Sequence, residues 1–177
     1  NIYLAGSCDR SWSGPAGQPP RHAHPGGASA IVVVKHDHDG GYLWHTFYGN
    51  GHPNYNNGAA GVAGEVWVTG FSDGGSWAGP AGQPPLNPYT GLSDAFVLKL
   101  DADGGYQWHA FYGTGFDSGR AVAVDASGDA VVVGFSGASW KGPGATAPLP
   151  PYRGTASNKL VAFELKLRAT GAYLWHT

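Results

Sequence analysis

Apolar and polar residues alternate along short stretches of this chain, which is the pattern of half-buried β-strands. In residues 106–112, one face of such a strand would carry Tyr106, Trp108, Ala110 and Tyr112. Comparable runs of β-branched and aromatic residues, bounded by Gly, Asp or Asn, lie at 66–71, 95–100 and 120–125. No stretch of the sequence shows the 3.6-residue period of an amphipathic helix, so the pattern predicts an all-β protein.

Glycines that follow Asp or Ser mark tight hairpin turns between these strands, at 39–40, 103–104 and 127–128. Such turns join antiparallel neighbours, so 95–100 is expected to pair with 106–112. The strand register predicts a set of largely buried side chains: Val66, Val68, Phe96, Leu98, Val122, Val124, Val131 and Val133. By contrast, repeated Pro and Gly at 76–93 forbid ladder hydrogen bonds and predict a long ordered loop on one rim.

The strands belong to a repeated unit. The segment 6–20 recurs at 70–85 and, in a more divergent form, at 134–148. A second marker, a Gly-rich turn followed by Tyr-x-Trp-His, occurs at 40–49, 104–113 and 171–177. The copies follow each other at about 64 residues, which divides the chain into units 1–64, 65–128 and 129–177.

Each unit is expected to carry four short strands, and tandem units of this kind are typical of β-propeller blades. The predicted fold class is therefore all-β, with three tandem four-stranded antiparallel repeats of about 64 residues as blades of an incomplete ring. Taken in order, 120–136, 94–104 and 106–115 resemble the bacterial SBBP-type β-propeller repeat. That resemblance implies a common architecture and secretion rather than one activity. The long Trp-bearing loop departs from the family pattern.

The two ends of the sequence do not coincide with the ends of the repeat. Asn1 aligns with Glu65 and Asp129, so the first unit is one strand short and eleven strand positions remain, including a weak one near 59–63. Because propellers usually close with four to eight blades, the chain is expected either to belong to a longer array or to complete its ring with other copies of itself. Its terminal strands are accordingly predicted to pair with protein outside the segment.

Composition narrows the possible partners. Charged residues make up only 12% of the chain and the net charge is −2, without a Lys/Arg run, so a nucleic-acid partner is not expected. No apolar run approaches the roughly 20 residues of a membrane-spanning helix, so membrane insertion is not expected. Cys8 is the single cysteine and cannot form an intrachain disulfide. An extracellular or cell-surface location is predicted, chiefly from the family resemblance.

Two sets of tryptophans recur with the repeat. Trp12, Trp77 and Trp140 lie at equivalent places in the rim loops, where each indole would either stack on a sugar or fold back to pin its own loop. The second set, Trp44, Trp108 and Trp175, lies within strands and is expected to pack between neighbouring blades. The first set therefore provides the candidate ligand-binding residues, with glycans as the possible ligand.

Histidines supply the favoured candidate metal ligands. The first unit carries His22 and His24 in its loop and His36 and His38 further on, and imidazoles two residues apart point the same way on an extended chain. This pattern would suit zinc or copper, and the alternative is a set of ordinary polar turns. Calcium at Asp101 and Asp103 is less favoured, since the remaining oxygen ligands of a calcium loop are missing.

No convincing catalytic set is present. Residues 70–74 match Gly-x-Ser-x-Gly, but Gly and Pro follow where a nucleophile elbow needs a helix, so Ser72 is interpreted as a turn residue. The sequence thus favours a non-catalytic extracellular scaffold that binds other copies of itself or further blades, without a cofactor. Two alternatives remain: a carbohydrate-binding propeller that uses its rim tryptophans, and part of a propeller enzyme whose site lies in other blades.

Overall fold

The chain is all-β, as the alternating pattern predicts, in a computed structural model that describes residues 1–52, 54–150 and 160–177. The first sheet contains β1 (Ile2–Cys8), β2 (Ala30–His36) and β3 (Tyr42–Tyr48). The second contains β4 (Asn54–Val62), β5 (Glu65–Asp73), β6 (Ser93–Leu100) and β7 (Tyr106–Tyr112). The third contains β8 (Asp117–Val124), β9 (Ala130–Ser136), β10 (Val161–Leu167) and β11 (Tyr173–His176). One short 3-10 turn lies at Pro143–Ala145.

Every strand pairs antiparallel with the next strand of its own sheet, so each sheet is a simple meander. The expected pairing of 95–100 with 106–112 is confirmed, with Phe96 opposite Phe111 and Leu98 opposite His109. The weak strand near 59–63 is the end of β4. It joins β5 through a tight turn at Ala63 and Gly64, both with positive φ, and for this reason it belongs to the second sheet. Each sheet is thus offset by one strand from the sequence repeat.

Two apolar layers hold the three sheets together, and the middle sheet contributes one face to each. Val66 and Val68 of β5 point towards the first sheet, together with Phe96 and Leu98 of β6. Trp67, between the two valines, points the other way and packs in the layer against the third sheet. Within the described ranges the three sheets form a stack that does not close into a ring.

The predicted core is confirmed for five of its eight side chains. Val66, Val68, Phe96, Leu98 and Val122 are buried, whereas Val124 and Val131 are only half-buried. The prediction is wrong for Val133, which is 39% exposed. Its face of β9 points away from the second sheet, and no described strand covers it.

The long loops return along the outermost strand of each sheet. Main-chain hydrogen bonds join Arg21 to His45, Leu86 to His109 and Leu149 to His176, always from the loop N–H to the strand carbonyl. Each loop therefore occupies part of an otherwise unpaired sheet edge. No helix of the described residues has the length and apolar character needed to cross a membrane.

Candidate functional site

The rim-loop tryptophans fold back onto the repeated strand histidines. The Trp77 ring stacks on His109 with centroids 3.8 Å apart and planes inclined by 10°. The same stack occurs between Trp12 and His45 at 3.8 Å, and between Trp140 and His176 at 3.5 Å. Two motifs that are separate in the sequence therefore form one structural cluster in each sheet.

Hydrogen bonds determine the tautomer of the clustered histidine. His109 Nε2 lies 2.9 Å from the Trp77 carbonyl oxygen, which can only accept, so Nε2 carries the proton. Nδ1 then accepts from the Tyr106 hydroxyl at 2.7 Å. Burial lowers the pKa of His109 to about 4, so the ring is neutral at neutral pH. Both ring nitrogens are used to fix the loop.

These contacts leave little indole surface for a ligand. Trp77 and Trp140 are each 4% exposed, and Trp12 is half-buried. One ring face of each is covered by a histidine. The arrangement matches the alternative in which the indole pins its own loop, and sugar stacking on Trp77 or Trp140 would require the loop to open.

The first-unit histidines are also engaged by the protein. His22 Nδ1 lies 2.6 Å from the Phe47 carbonyl and its ring stacks on Tyr48. His24 Nε2 lies 3.1 Å from the Cys8 carbonyl. The equivalent loop of the second sheet uses Asn87 in place of His22, since its Nδ2 donates to the Phe111 carbonyl at 2.6 Å. An amide therefore replaces the imidazole in the same loop anchor.

His36 and His38 lie at the β2–β3 turn, where His36 Nδ1 is 3.0 Å from the Gly40 carbonyl and the exposed His38 Nε2 is 3.1 Å from an Asp39 carboxylate oxygen. Across residues 1–52, 54–150 and 160–177, no three His, Cys, Asp or Glu side chains are grouped as metal ligands would be. The structure thus does not bring His22, His24, His36 and His38 together as one ligand set, and zinc or copper binding at them stays a prediction.

The carboxylate of Asp101 closes a hairpin turn. Its Oδ1 accepts from the N–H of Asp103 at 2.9 Å and of Gly105 at 2.8 Å. The same oxygen of Asp37 serves the first-sheet turn. These aspartates have the turn role that the sequence favoured over calcium binding.

A lysine and a tryptophan on each of the first two sheets form a contact that the sequence analysis did not identify. Lys35 Nζ and Trp44 Nε1 both donate to the carbonyl oxygen of Ala102, in the β6–β7 turn of the second sheet, at 2.6 and 3.3 Å. Lys99 and Trp108 donate to Ala169 of the third sheet at 2.9 and 3.3 Å. The signal was the recurrence of lysine at equivalent positions of β2, β6 and β10, opposite the Trp of the Trp-His motif.

Two buried carboxylates near the rim were also missed. Asp94 is fully buried, and its Oδ1 has no hydrogen-bond partner among the described residues. Burial raises the pKa of Asp94 to about 6. Asp117, also buried, accepts from the N–H groups of Thr114 and Gly115 and from the Ser136 hydroxyl. Asp94 has no acidic equivalent in the other two units, which is why the repeat pattern did not reveal it.

An open groove of about 680 Å³ borders the third sheet. Its lining is mainly apolar and includes Val133, Phe135, Trp140 and Val161. The Arg120 guanidinium lies over the Phe135 ring, 4.7 Å from its centroid. Exposed apolar patches of this kind mark interaction surfaces or ligand-binding grooves.

Neither a comparison with protein-family models nor a comparison with curated proteins found a match for this chain.

Proposed function

We propose that the protein is a non-catalytic scaffold of propeller-type blades, which assembles through its two outer sheet faces with further units of the same kind. The observation that supports this proposal is a repeated interface between sheets. The same sheet-to-sheet interface occurs twice inside the chain, and each outer sheet presents one half of it without a described partner.

The two free faces have the apolar character that the buried ones have. On the third sheet, Val133 and Phe135 occupy the positions of Thr69 and Phe71 in the second sheet. Val133 is 39% exposed, whereas Thr69 is fully buried under the third sheet. The proposed assembly would bury this face as the stack buries its equivalent.

The first sheet supplies the complementary surface. Leu4 in β1 is 54% exposed and Ile2 is 47% exposed, while Val32 and Val34 in β2 are half-buried. In the second sheet, the equivalent strands β5 and β6 use this face to pack on the sheet before them. A contact between the free faces of two units is therefore head-to-tail.

The engagement of the histidines supports a scaffold role. His45, His109 and His176 each have both ring nitrogens in hydrogen bonds that fix a loop. The extracellular location is proposed from the resemblance to SBBP-type repeats.

Sedimentation velocity over a concentration series, combined with hydroxyl-radical footprinting, tests the proposal. We expect larger particles at higher concentration, with labelling of Leu4 and Phe135 falling in parallel. Leu92, 66% exposed in the loop of the middle unit, is the control and should stay labelled. A monodisperse monomer in which Leu4 and Phe135 stay labelled at every concentration would contradict the assembly role.

A further inference from the structure

The same contact occurs at each of the two interfaces between sheets, and we call it a joint. In each joint, a lysine and a tryptophan of one sheet donate hydrogen bonds to one carbonyl oxygen in a turn of the next sheet. We infer that Lys166 and Trp175 form a third copy of this joint, which receives the His38 carbonyl in the β2–β3 turn of a second copy of this chain. The inference rests on the proposed assembly and adds the chemistry by which one unit recognises the next.

The strand register gives Lys166 and Trp175 the same cross-strand relationship as the first two Lys–Trp pairs. Lys166 lies directly opposite Trp175 on the neighbouring strand. Lys99 lies opposite Trp108 in the same way. Since cross-strand neighbours project from the same face of a sheet, the ammonium and indole donors of the third sheet lie side by side on its free face.

The third Lys–Trp pair is less buried than the second, as the inference requires. Lys99 is 6% and Trp108 7% exposed, because the Ala169 turn covers them. Trp175 is only half-buried, and Lys166 forms an ion pair with Asp125 of its own sheet. The Trp175 indole N–H has no acceptor among the described residues.

The receiving turn is present at the other end of the molecule. Gly104 and Gly171, in the two turns that fill internal joints, have φ of 79° and 85° and are buried. A Cβ at Gly104 would lie 3.0 Å from the Trp44 ring, and one at Gly171 would lie 2.9 Å from the Trp108 ring. Gly40 has the same conformation, with φ of 83°, but it is exposed and has open space around it.

The number of filled joints indicates that a second copy of the chain occupies the joint at Lys166 and Trp175. Three described turns join a Lys-bearing strand to a Trp-bearing strand; those around Ala102 and Ala169 already fill the two internal joints, so the turn at Asp37–Gly40 is the one that remains. One pair of donors and one turn remain, on opposite outer sheets. A carbonyl oxygen has two lone pairs and accepts from both donors at once, as Ala102 does.

Two variants test the hydrogen-bond donors of the joint and the receiving turn separately. Lys166→Met keeps an unbranched side chain, one atom shorter, and removes the ammonium. Gly40→Asn tolerates positive φ and places a side chain where the Trp175 ring would lie, without a clash inside its own chain. In sedimentation velocity, each variant is expected to weaken self-association at least about tenfold, which is the size of one charge-assisted hydrogen bond. The control is Lys141→Met, at an exposed position outside the joint, which should associate like wild type.

Mixing the two variants provides the sharpest test. Alone, each variant breaks every joint, but the intact turn of Lys166→Met fits the intact donors of Gly40→Asn. The mixture should therefore regain association through one good joint per pair. Association of both variants at wild-type strength would overturn the joint and leave the assembly proposal standing. A wild-type chain that stays monomeric would overturn both, and variants that lose association without recovering it on mixing would overturn the head-to-tail pairing.

Discussion

Trp77 and His109 stack with ring centroids 3.8 Å apart, although 32 residues separate them in the sequence. The contact ties the long loop after β5 to the outermost strand of its sheet. Because the same stack occurs in all three sheets, a Gly/Pro-rich loop with few apolar side chains is anchored once per unit by one indole and one imidazole.

Replacing the imidazole should cost stability even when the stack is kept. His109→Phe retains an aromatic ring but leaves the Trp77 carbonyl and the Tyr106 hydroxyl without their partner. We expect a loss of about 1–3 kcal/mol in the free energy of unfolding, measured by urea titration. His38→Phe, at an exposed turn position, is the matched control and should unfold like wild type. Wild-type stability of His109→Phe would contradict the structural role of the two hydrogen bonds.

Acidification should weaken the fold through this histidine. Burial lowers the pKa of His109 from 6.5 to about 4, so the unfolded chain binds more protons than the fold between these values. The stabilising contribution is therefore complete above pH 6.5 and is lost as the pH falls through the folded value. Urea midpoints between about pH 7.5 and pH 4 should fall less steeply in His109→Gln than in wild type. Equal slopes in the two proteins would show that another group dominates.

Asp94 should have the opposite dependence on pH. Burial raises its pKa from 3.8 to about 6, so the folded state binds more protons between these values and stability falls as the pH rises. Asp94→Asn removes the buried charge and keeps an acceptor for the Thr90 N–H. We expect the variant to be more stable than wild type by about 1–3 kcal/mol at pH 7, and to lose this advantage near pH 4. Thermal melts at the two pH values check it, and a less stable variant at pH 7 would refute it.

The joint at Lys99 should stabilise the folded chain, whereas the unfilled joint at Lys166 should not. Lys99 is 6% exposed, donates to the Ala169 carbonyl and pairs with Glu65 at 2.9 Å. Lys99→Met should lower the free energy of unfolding by about 1–3 kcal/mol, because the buried hydrogen bond is lost. Lys166→Met, at the equivalent position of the third sheet, should change it by less than about 0.5 kcal/mol in dilute monomer. Equal losses in the two variants would mean that burial by the next turn is unimportant.

The sequence was sufficient to predict what depends on local pattern. The Asp103-Gly104 turn correctly placed β6 against β7, and the strand register correctly placed Val66 and Val68 in the core. It failed for Val133 because alternation says which face a residue lies on, but not whether another sheet covers that face. The Trp-His stack and the lysine joint were missed for a similar reason, since both depend on contacts between segments that are far apart in the chain.

The rim tryptophans provide a last test of how packing between sheets contributes to stability. They share the stack on a histidine but differ in their contacts with the preceding sheet. Trp12 and Trp77 both stack on a histidine, but Trp77 also packs near Tyr48 of the preceding sheet, with centroids 6.4 Å apart, and is 4% exposed. Trp77→Ala should therefore lower the free energy of unfolding by about 3–5 kcal/mol, the usual cost of emptying a buried aromatic site. Trp12→Ala, at a half-buried site, should cost less than half as much in the same urea titrations. If the two losses were equal, the loop anchor alone would account for both, and packing between neighbouring sheets would contribute nothing at Trp77.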